Sequence, residues 1–282
     1  MDWLIIDEAG QAKPQMAVGG IWRAKYTVAV GDPLQIEPVV TTPPSIYTDL
    51  ANYFDISSSS YFSPHSSVQS IADLGNPYGK NLAGTWIGLP LWVHRRCLNP
   101  MFKISNEIAY DGNMVLATQE NDTFTFSGQS EWIDVKGESV ARQYVEAQGE
   151  RLLILLQTLI DDNDGSLPNV YIISPFKKVA DELKILLKKR LPTMVSGENS
   201  IKAWVRESVG TVHTFQGKEA EIVIFCLGVD ETQKGAAKWA TDKPNLINVA
   251  VTRAKYRLYV IGDKNIWRHL PYMETVEKSL TW

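Results

Sequence analysis

Two short apolar runs near the N-terminus constrain this chain more than any other feature. The run Trp3–Ile6 leads into Asp7 and Glu8. The run Thr27–Val30 leads through a Gly-Asp pair to Gln35. Short apolar runs bounded by turn residues predict buried parallel strands. Because ligands bind outside the carboxyl ends of such strands, we expect Asp7, Glu8 and Gln35 to meet in one crevice.

The adjacent carboxylates Asp7 and Glu8 suggest a specific chemistry. An Asp that leaves an apolar strand can hold Mg²⁺, directly or through water. A Glu beside it can orient and deprotonate a water molecule. The alternative for the pair alone is a solvated loop that carries two acids. The second strand, with Gly-Asp-x-x-Gln at its end, favours the catalytic interpretation.

Six sequence blocks in a fixed order extend this pattern along the chain. The segments DEAGQA and GDPLQIEPV resemble motifs II and III of superfamily 1 helicases, in the branch that includes the nonsense-decay RNA helicase and its bacterial relatives. Four later segments, HRRC, IISPFK, VGTVHTFQGKE and NLINVAVTRAK, resemble later blocks of the same family in the same order. Six ordered blocks are far more specific than any single one.

The resemblance implies roles in ATP hydrolysis for four residues of the first three blocks. Asp7 is expected to hold Mg²⁺, Glu8 to act as the base on water, and Gln35 to sense the γ-phosphate. Arg95, rather than its neighbour Arg96, matches the family arginine that reaches the γ-phosphate. The position before it is His94, where the family often has an aromatic residue that stacks on the base. Taken alone, HRRC is a surface basic patch.

The last block predicts a helix that ends in an arginine. Apolar residues at 246, 247, 250 and 251 would bury one face of the helix, and Arg253 would project from the other. By resemblance Arg253 is the arginine finger, a group worth roughly 10³–10⁵ in rate. The alternative is an exposed arginine on the helix surface with no catalytic role.

The block at 209–219 predicts contacts to phosphate and ribose. Gln216-Gly217 lets the backbone approach a ligand closely, before an expected helix N-terminus that favours phosphate oxygens. By resemblance Thr211 and Thr214, with the His213 imidazole between them, face nucleic-acid phosphate, and Glu219 faces the nucleotide ribose. The alternative is a purely structural helix start, capped by Thr214 and with Glu219 in its first turn. In the IISPFK block, Ser174 is expected to touch the nucleic-acid strand.

Alternating elements predict an α/β fold of parallel sheets with helices on both faces, and the resemblance makes these sheets RecA-like, of the P-loop NTPase type. Residues 1–90 would be the remnant of a first RecA-like domain, and residues 91–282 the second. The second contains predicted strands and helices in alternation, listed here in chain order: Glu131–Val135, helix Glu138–Leu159, Val170–Ser174, helix Lys178–Leu191, Val209–Val212, Ile222–Leu227, helix Leu246–Ala254 and Leu258–Ile261.

Composition excludes several other classes. The sequence has no run of 18 apolar residues, which argues against a membrane span. Its two cysteines, Cys97 and Cys226, make a disulfide framework improbable and favour a cytoplasmic protein. The histidines and cysteines show no zinc-ligand spacing. A net charge of −4 argues against nucleic-acid binding by bulk charge, but allows a local groove that grips a single strand.

The sequence contains no G-x-x-x-x-G-K-[ST] phosphate loop. We therefore expect the chain to be N-terminally truncated and to be the C-terminal portion of a larger helicase. That helicase would require ATP and Mg²⁺ and would act on single-stranded DNA or RNA. Its partner would be the missing N-terminal half, and the isolated chain would hydrolyse ATP poorly. Two alternatives remain open, a non-enzymatic nucleic-acid or protein-binding module and one half of a split helicase.

Overall fold

The computed structural model describes residues 1–35, 37–38, 40–56, 63, 65–82, 84–119, 124–195 and 201–280. The chain divides into two compact units, Met1–Leu91 (unit 1) and Trp92–Trp282 (unit 2). Within the described ranges, no helix is both long and apolar enough to cross a membrane.

Unit 1 is built from two small sheets and three helices. Its elements in chain order are β1 (Trp3–Ile6), α1 (Pro14–Ile21), β2 (Tyr26–Ala29), α2 (Pro44–Tyr53), α3 (Val68–Gly75), β3 (Gly79–Leu82) and β4 (Thr85–Gly88). Strands β1 and β2 pair in parallel, with Trp3 opposite Tyr26. Strands β3 and β4 form an antiparallel hairpin. The predicted pair of parallel strands is therefore confirmed.

The prediction that β1 and β2 are buried is wrong. Trp3 is 62% exposed and Ile5 is 69% exposed, so the β1 side chains on that face meet solvent in the described structure. The opposite face is partly covered, because the half-buried Leu4 packs against α1 close to Gly20, while its β2 neighbour Thr27 is exposed. Apolar composition predicted burial on both faces, but burial depends on the elements that pack against each face.

Helix α3 is fastened to the loop that follows β1. Its N-cap Ser67 forms a capping box with Ser70, in which each side chain accepts from the other residue's backbone N–H. The backbone N–H of Val68 donates to the carbonyl of Ala12, and that of Gln69 to the carbonyl of Ala9. The first turn of α3 therefore fixes the backbone that leaves β1.

Unit 2 contains the larger core. Its elements are β5 (Val93–His94), α4 (Met101–Ala109), β6 (Val115–Leu116), β7 (Glu131–Asp134), β8 (Ser139–Ala141), β9 (Tyr144–Val145), α5 (Glu146–Asp161), β10 (Val170–Ser174), α6 (Lys177–Arg190), α7 (Ile201–Ser208), β11 (Val209–Thr211), β12 (Ala220–Cys226), α8 (Lys234–Ala240), α9 (Asn245–Thr252), β13 (Ala254–Gly262), α10 (Lys264–Trp267) and α11 (Met273–Leu280).

One parallel sheet organises unit 2. Its strand order is β11-β10-β12-β13-β7, and every neighbouring pair in it is parallel. The central strand β12 is buried along nearly its whole length, as expected for a sheet covered on both faces. Helices α4 and α9 pack together, and so do α5 and α6. The predicted α/β class with a parallel sheet is confirmed.

The predicted helix Glu138–Leu159 is wrong in its first turns. Residues 139–145 form the β8–β9 hairpin, and the helix begins only at Glu146. Arg142 has a φ of 50° at the turn, a conformation that a helix does not allow. Val140, Tyr144 and Val145 favour strands because they are β-branched or aromatic.

Candidate functional site

The acidic pair lies at the carboxyl end of β1. Asp7 and Glu8 are both exposed. The Asp7 carboxylate (Oδ1) accepts a 2.8 Å hydrogen bond from the Glu8 backbone N–H, and the Glu8 carboxylate (Oε2) accepts a 3.1 Å hydrogen bond from the Gln11 amide. Glu8 has a φ of 50°, so the backbone turns sharply where the strand ends.

The end of β2 lies beside this pair. The Ala9 backbone N–H donates to the Val30 carbonyl at 2.9 Å, which joins the two loops that follow β1 and β2. In the second loop the Asp32 carboxylate accepts from the Leu34 backbone N–H at 2.9 Å and from the Gln35 amide at 3.0 Å. Asp32 therefore positions Gln35. Sequence reasoning gave Asp32 no role, although its place two residues before Leu34 is typical of an Asx turn.

Asp7 and Glu8 both present exposed carboxylates at this place, and Asp7 is the one expected to hold Mg²⁺. Among the described residues, no group of three or more His, Cys, Asp or Glu side chains could hold a metal ion. Mg²⁺ is often bound by only one or two carboxylates together with substrate phosphates and water. The donor chemistry of Asp7 therefore fits an ion that arrives with a nucleotide.

Arg253 lies at the amino-terminal edge of the unit 2 sheet, directly before β13. The expectation that it projects from an exposed helix face is wrong, because Arg253 is 0% exposed. Its guanidinium donates to the carbonyls of Val249, Phe215 and Lys218 at 3.1, 3.4 and 3.0 Å, and to the Thr252 hydroxyl at 3.2 Å. The residue is at the C-terminus of a helix that is buried on every side along its last turns. Its proposed role as an arginine finger stays a prediction.

Three charged residues form a cluster at the same edge. Glu219, directly before β12, accepts from the Lys255 ammonium at 2.6 Å and lies 3.5 Å from the Arg96 guanidinium. The Glu219 carboxylate raises the pKa of Lys255, chiefly through that hydrogen bond. The backbone reinforces the cluster, because the Leu98 N–H donates to the Lys255 carbonyl at 3.0 Å. Three separate sequence blocks therefore meet at Glu219.

The HRRC segment is held by its own histidine. The His94 Nε2 atom accepts from the Cys97 backbone N–H at 3.0 Å and lies 3.0 Å from the Cys97 sulfur. Burial, with the nearby Arg96 charge, lowers the pKa of His94, so the neutral ring is favoured. Burial also raises the pKa of Cys97 to about 12, which makes this thiol unreactive. The His94 ring packs 5.4 Å from Phe102, while Arg95 stays exposed.

The expected helix after Gln216-Gly217 is absent. A short 3₁₀ helix, Val212–Phe215, precedes the pair, and strand β12 follows at Ala220. Gly217 has a φ of 75°, which turns the chain back toward the start of β12. Both helix-based interpretations of this segment, the phosphate-binding helix start and the Thr214 cap, are therefore wrong. Glu219 is therefore not a residue of a helix. It lies directly before β12 and is held by its contacts with Lys255 and Arg96.

The predicted nucleic-acid residues lie at the carboxyl edge of the same sheet. Thr211 ends β11, and its hydroxyl lies 3.3 Å from that of Thr214. Thr214 and His213 are exposed. Partial desolvation lowers the pKa of His213, so neutral imidazole is favoured there as well. Ser174, at the end of β10, is 0% exposed, and its hydroxyl accepts from the Phe176 backbone N–H at 3.2 Å.

The structure thus separates the predicted residues of unit 2 into two groups. Glu219 and Arg253 lie at the amino-terminal edge of the sheet, and Thr211, His213 and Thr214 follow the carboxyl end of β11. Sequence reasoning missed Lys255, although it stands two residues after Arg253 in the same block. It also ranked Arg96 below Arg95, although Arg96 is the one of the two that reaches Glu219.

Comparisons with known proteins identify the family of this chain. The AAA domain family matches residues 91–265, which is more than half of the chain. The DNA replication ATP-dependent helicase/nuclease DNA2 of Gallus gallus is 21% identical over 280 residues, covering 97% of this chain and 24% of the relative. The ATP-dependent helicase NAM7 of Saccharomyces cerevisiae is 22% identical, covering 95% of this chain and 26% of the relative.

Among solved structures, an arterivirus nonstructural protein 10 helicase in complex with DNA covers 93% of this chain and 40% of its own, with 14% identity and a TM-score of 0.40. The chain spans about a quarter of the length of the two curated relatives above. The family match and the ordered blocks agree on one assignment. The chain belongs to the AAA domain family, and its ordered blocks resemble those of superfamily 1 helicases.

Proposed function

We propose that this chain is the C-terminal motor portion of an ATP-dependent helicase that translocates along single-stranded DNA or RNA. The observation that carries the proposal is the convergence on Glu219. Arg96 and Lys255 contact it, and Arg253 holds the carbonyl of the preceding residue, Lys218. Three blocks, the first of them more than a hundred residues before the other two, thus concentrate charge at one sheet edge, as a nucleotide-responsive site requires.

The residue roles follow from chemistry and from the family resemblance. In unit 1, Asp7 would hold Mg²⁺ that accompanies ATP, Glu8 would take a proton from the attacking water, and Gln35 would face the γ-phosphate. In unit 2, Arg95 and Arg253 would stabilise phosphoryl charge. The nucleotide contacts of the second half would come from Glu219 and Gly217, and the strand contacts from Thr211, His213, Thr214 and Ser174.

Two of these roles require the chain to rearrange. The Arg253 guanidinium has to exchange carbonyl acceptors for phosphate oxygens, and Ser174 has to become accessible or act through its backbone. Phosphoryl-transfer enzymes commonly complete their sites by conformational closure. The buried state of Arg253 would then be the form that precedes nucleotide engagement.

We further propose that residues 1–90 are part of a first RecA-like domain and residues 91–282 the second. The sequence has no phosphate loop. We therefore propose that the partner of this chain is the helicase half that carries one. Cys97 and Cys226 are both free and buried, which suits the reducing conditions of the cytoplasm. The family match disfavours a module without enzymatic ancestry.

The test is nucleotide-dependent binding to a labelled single strand, measured by fluorescence anisotropy with ssDNA and ssRNA. We expect a nonhydrolysable ATP analogue with Mg²⁺ to change the wild-type affinity by about 5- to 150-fold, because coupling between two sites is usually of that size. Arg95→Ala should remove the nucleotide effect and keep nucleotide-free binding. A chain that binds neither strand, with or without nucleotide, would contradict the proposal.

Steady-state ATPase activity provides the second arm. Because the sequence lacks a phosphate loop, we expect slow turnover by the chain alone, with or without a single strand. Robust stimulated turnover that Glu8→Gln abolishes would support the proposed motor, but would contradict our view that an additional half is needed.

A further inference from the structure

An exposed tryptophan stands out on the surface of unit 2. Trp239, on helix α8, is 59% exposed. Every other Trp, Tyr and Phe in the described part of unit 2 is more buried than this. Contact of a ligand with such a ring would gain free energy, because its apolar surface would leave water. Neither the family resemblance nor the roles proposed above assign a function to Trp239.

The indole is supported from behind by two aromatic rings. The Phe176 ring is centred 6.1 Å from that of Trp239, and the Trp267 ring is 6.5 Å from Phe176. Phe176 is 8% exposed and Trp267 is 1% exposed, and the Trp267 indole donates to the Gly228 carbonyl. Helix α8 is itself anchored by the buried residues Ala237 and Ala240. Trp239 is therefore the outer member of a row of three rings that begins in the core.

This row lies at the carboxyl edge of the sheet. Phe176 follows β10, helix α8 follows β12, and Trp267 belongs to the helix that follows β13. Thr211, at the end of the neighbouring strand β11, is at the same edge. In parallel sheets ligands bind at this edge. Trp239 is thus on the side of the sheet where the proposed strand contacts lie.

The surroundings of Trp239 suit a nucleobase better than a protein. Lys238 precedes it and is exposed, and the exposed Lys177 follows Phe176. The apolar neighbours on α8, Ala237 and Ala240, are buried, so on the described residues of this helix the indole is the one large apolar group that is exposed. A stable protein interface needs an area far larger than one ring. Single-strand binders instead combine an aromatic face for a base with cations for the backbone.

We infer that Trp239 is a stacking platform for one base of the bound single strand. This inference rests on the proposed function, because it presumes that unit 2 binds a single strand. It adds a base contact to a site otherwise made of hydroxyl and imidazole groups. Stacking on an indole accepts any base, so the contact would add affinity without sequence preference.

The test compares Trp239→Ala, Trp239→Phe and wild type for binding to a labelled 15-nucleotide strand. We expect Trp239→Ala to weaken binding about tenfold, because each stacked base contributes on that order. Trp239→Phe should retain most of the affinity. The matched control is Trp22→Ala, which removes another tryptophan, 88% exposed, from unit 1 and should leave affinity unchanged. An oligomer with abasic sites throughout should bind wild type and Trp239→Ala equally.

The outcomes separate the inference from the proposed function. If wild type binds the strand and Trp239→Ala binds it equally well, the platform is refuted and the proposed function stands. If Trp239→Ala loses as much affinity for the abasic oligomer as for the normal one, the residue acts through structure and the inference also fails. If wild type binds no strand, the inference and the proposed function are both refuted. Thermal unfolding of each variant excludes a folding defect as the cause of lost affinity.

Discussion

The two edges of the unit 2 sheet differ in whether their functional side chains are already paired or open to solvent. At the amino-terminal edge the Arg253 guanidinium is buried, and the charge of Glu219 is paired with that of Lys255. At the carboxyl edge, Thr214, His213 and Trp239 are exposed. A paired edge must exchange partners before it can hold a ligand, whereas an open edge can receive one without rearrangement. We therefore expect substitutions at the first edge to change stability more, and those at the second to change binding more.

Arg253→Ala should have the largest effect on stability. Removal of the guanidinium leaves a cavity and deprives the carbonyls of Phe215 and Lys218 of a donor, at a cost of about 3–5 kcal/mol. Urea denaturation, followed by circular dichroism, measures the free energy of unfolding. The matched control is Arg95→Ala, at an exposed position, which should stay within about 0.5 kcal/mol of wild type. Equal stability of the two variants would mean that Arg253 does not anchor this edge.

At the carboxyl edge, Gly210→Ala should have a smaller effect. A Cβ atom at Gly210 would lie 2.9 Å from the Thr214 side chain, which must then move. Overpacking of this kind costs about 1–3 kcal/mol. The control, Gly235→Ala, is a helical glycine with open space around it and should stabilise the chain by about 0.5–1 kcal/mol. The same denaturation experiment compares them, and equal signs for the two changes would show that the carboxyl edge has room to adjust.

The smallest effect is expected from the protonation of His94. Its pKa is lowered from the ordinary value of 6.5 by burial and by the charge of Arg96. Between the lowered pKa and 6.5 the unfolded chain binds more protons than the folded chain. The free energy of unfolding should therefore fall as pH drops below 6.5, by at most about 1.4 kcal/mol per pH unit for one proton, until the folded-state pKa is passed.

His94→Gln should flatten this pH dependence, because glutamine offers an acceptor to the Cys97 N–H and does not titrate. Denaturation midpoints between pH 7.5 and 5, in steps of about half a unit, measure the slope. His213, with its lowered pKa, contributes a slope of the same sign that should persist in this variant. The exposed His269 provides the control His269→Gln. Identical slopes in both variants would show that His94 does not cause the pH dependence of the free energy of unfolding.

The sequence predicted the strands of the main sheet better than the loops between them. Apolar runs such as Val170–Ser174 became strands because a β-rich run inside an alternating α/β pattern has few other ways to be buried. The turn at Gly217 was harder to predict. A glycine before a charged residue can begin a helix or reverse the chain, and here the start of β12 decides between the two.

The candidate site shows the same division. Local order in the sequence was enough to identify Asp7, Glu8, Gln35, Glu219 and Arg253 as candidates, because their blocks occur in a fixed succession. It could not predict which cations contact Glu219. Arg96 and Lys255 are 159 residues apart along the chain, yet both reach one carboxylate. Only the docking of the HRRC segment beside β13, through the Leu98 N–H, brings them together.

The α/β class of this protein was predictable from its sequence alone. The six ordered blocks and the alternating pattern predicted a parallel sheet with helicase-like motifs, because periodicity and local motifs are properties of neighbouring residues. Which side chains are enclosed depends instead on the tertiary structure. Arg253 is buried because the 3₁₀ segment Val212–Phe215 and the residues after it fold back over the sheet and present carbonyls to the guanidinium. Trp239 is exposed because α8 buries only its alanines. Burial of this kind depends on distant elements, which no local pattern encodes.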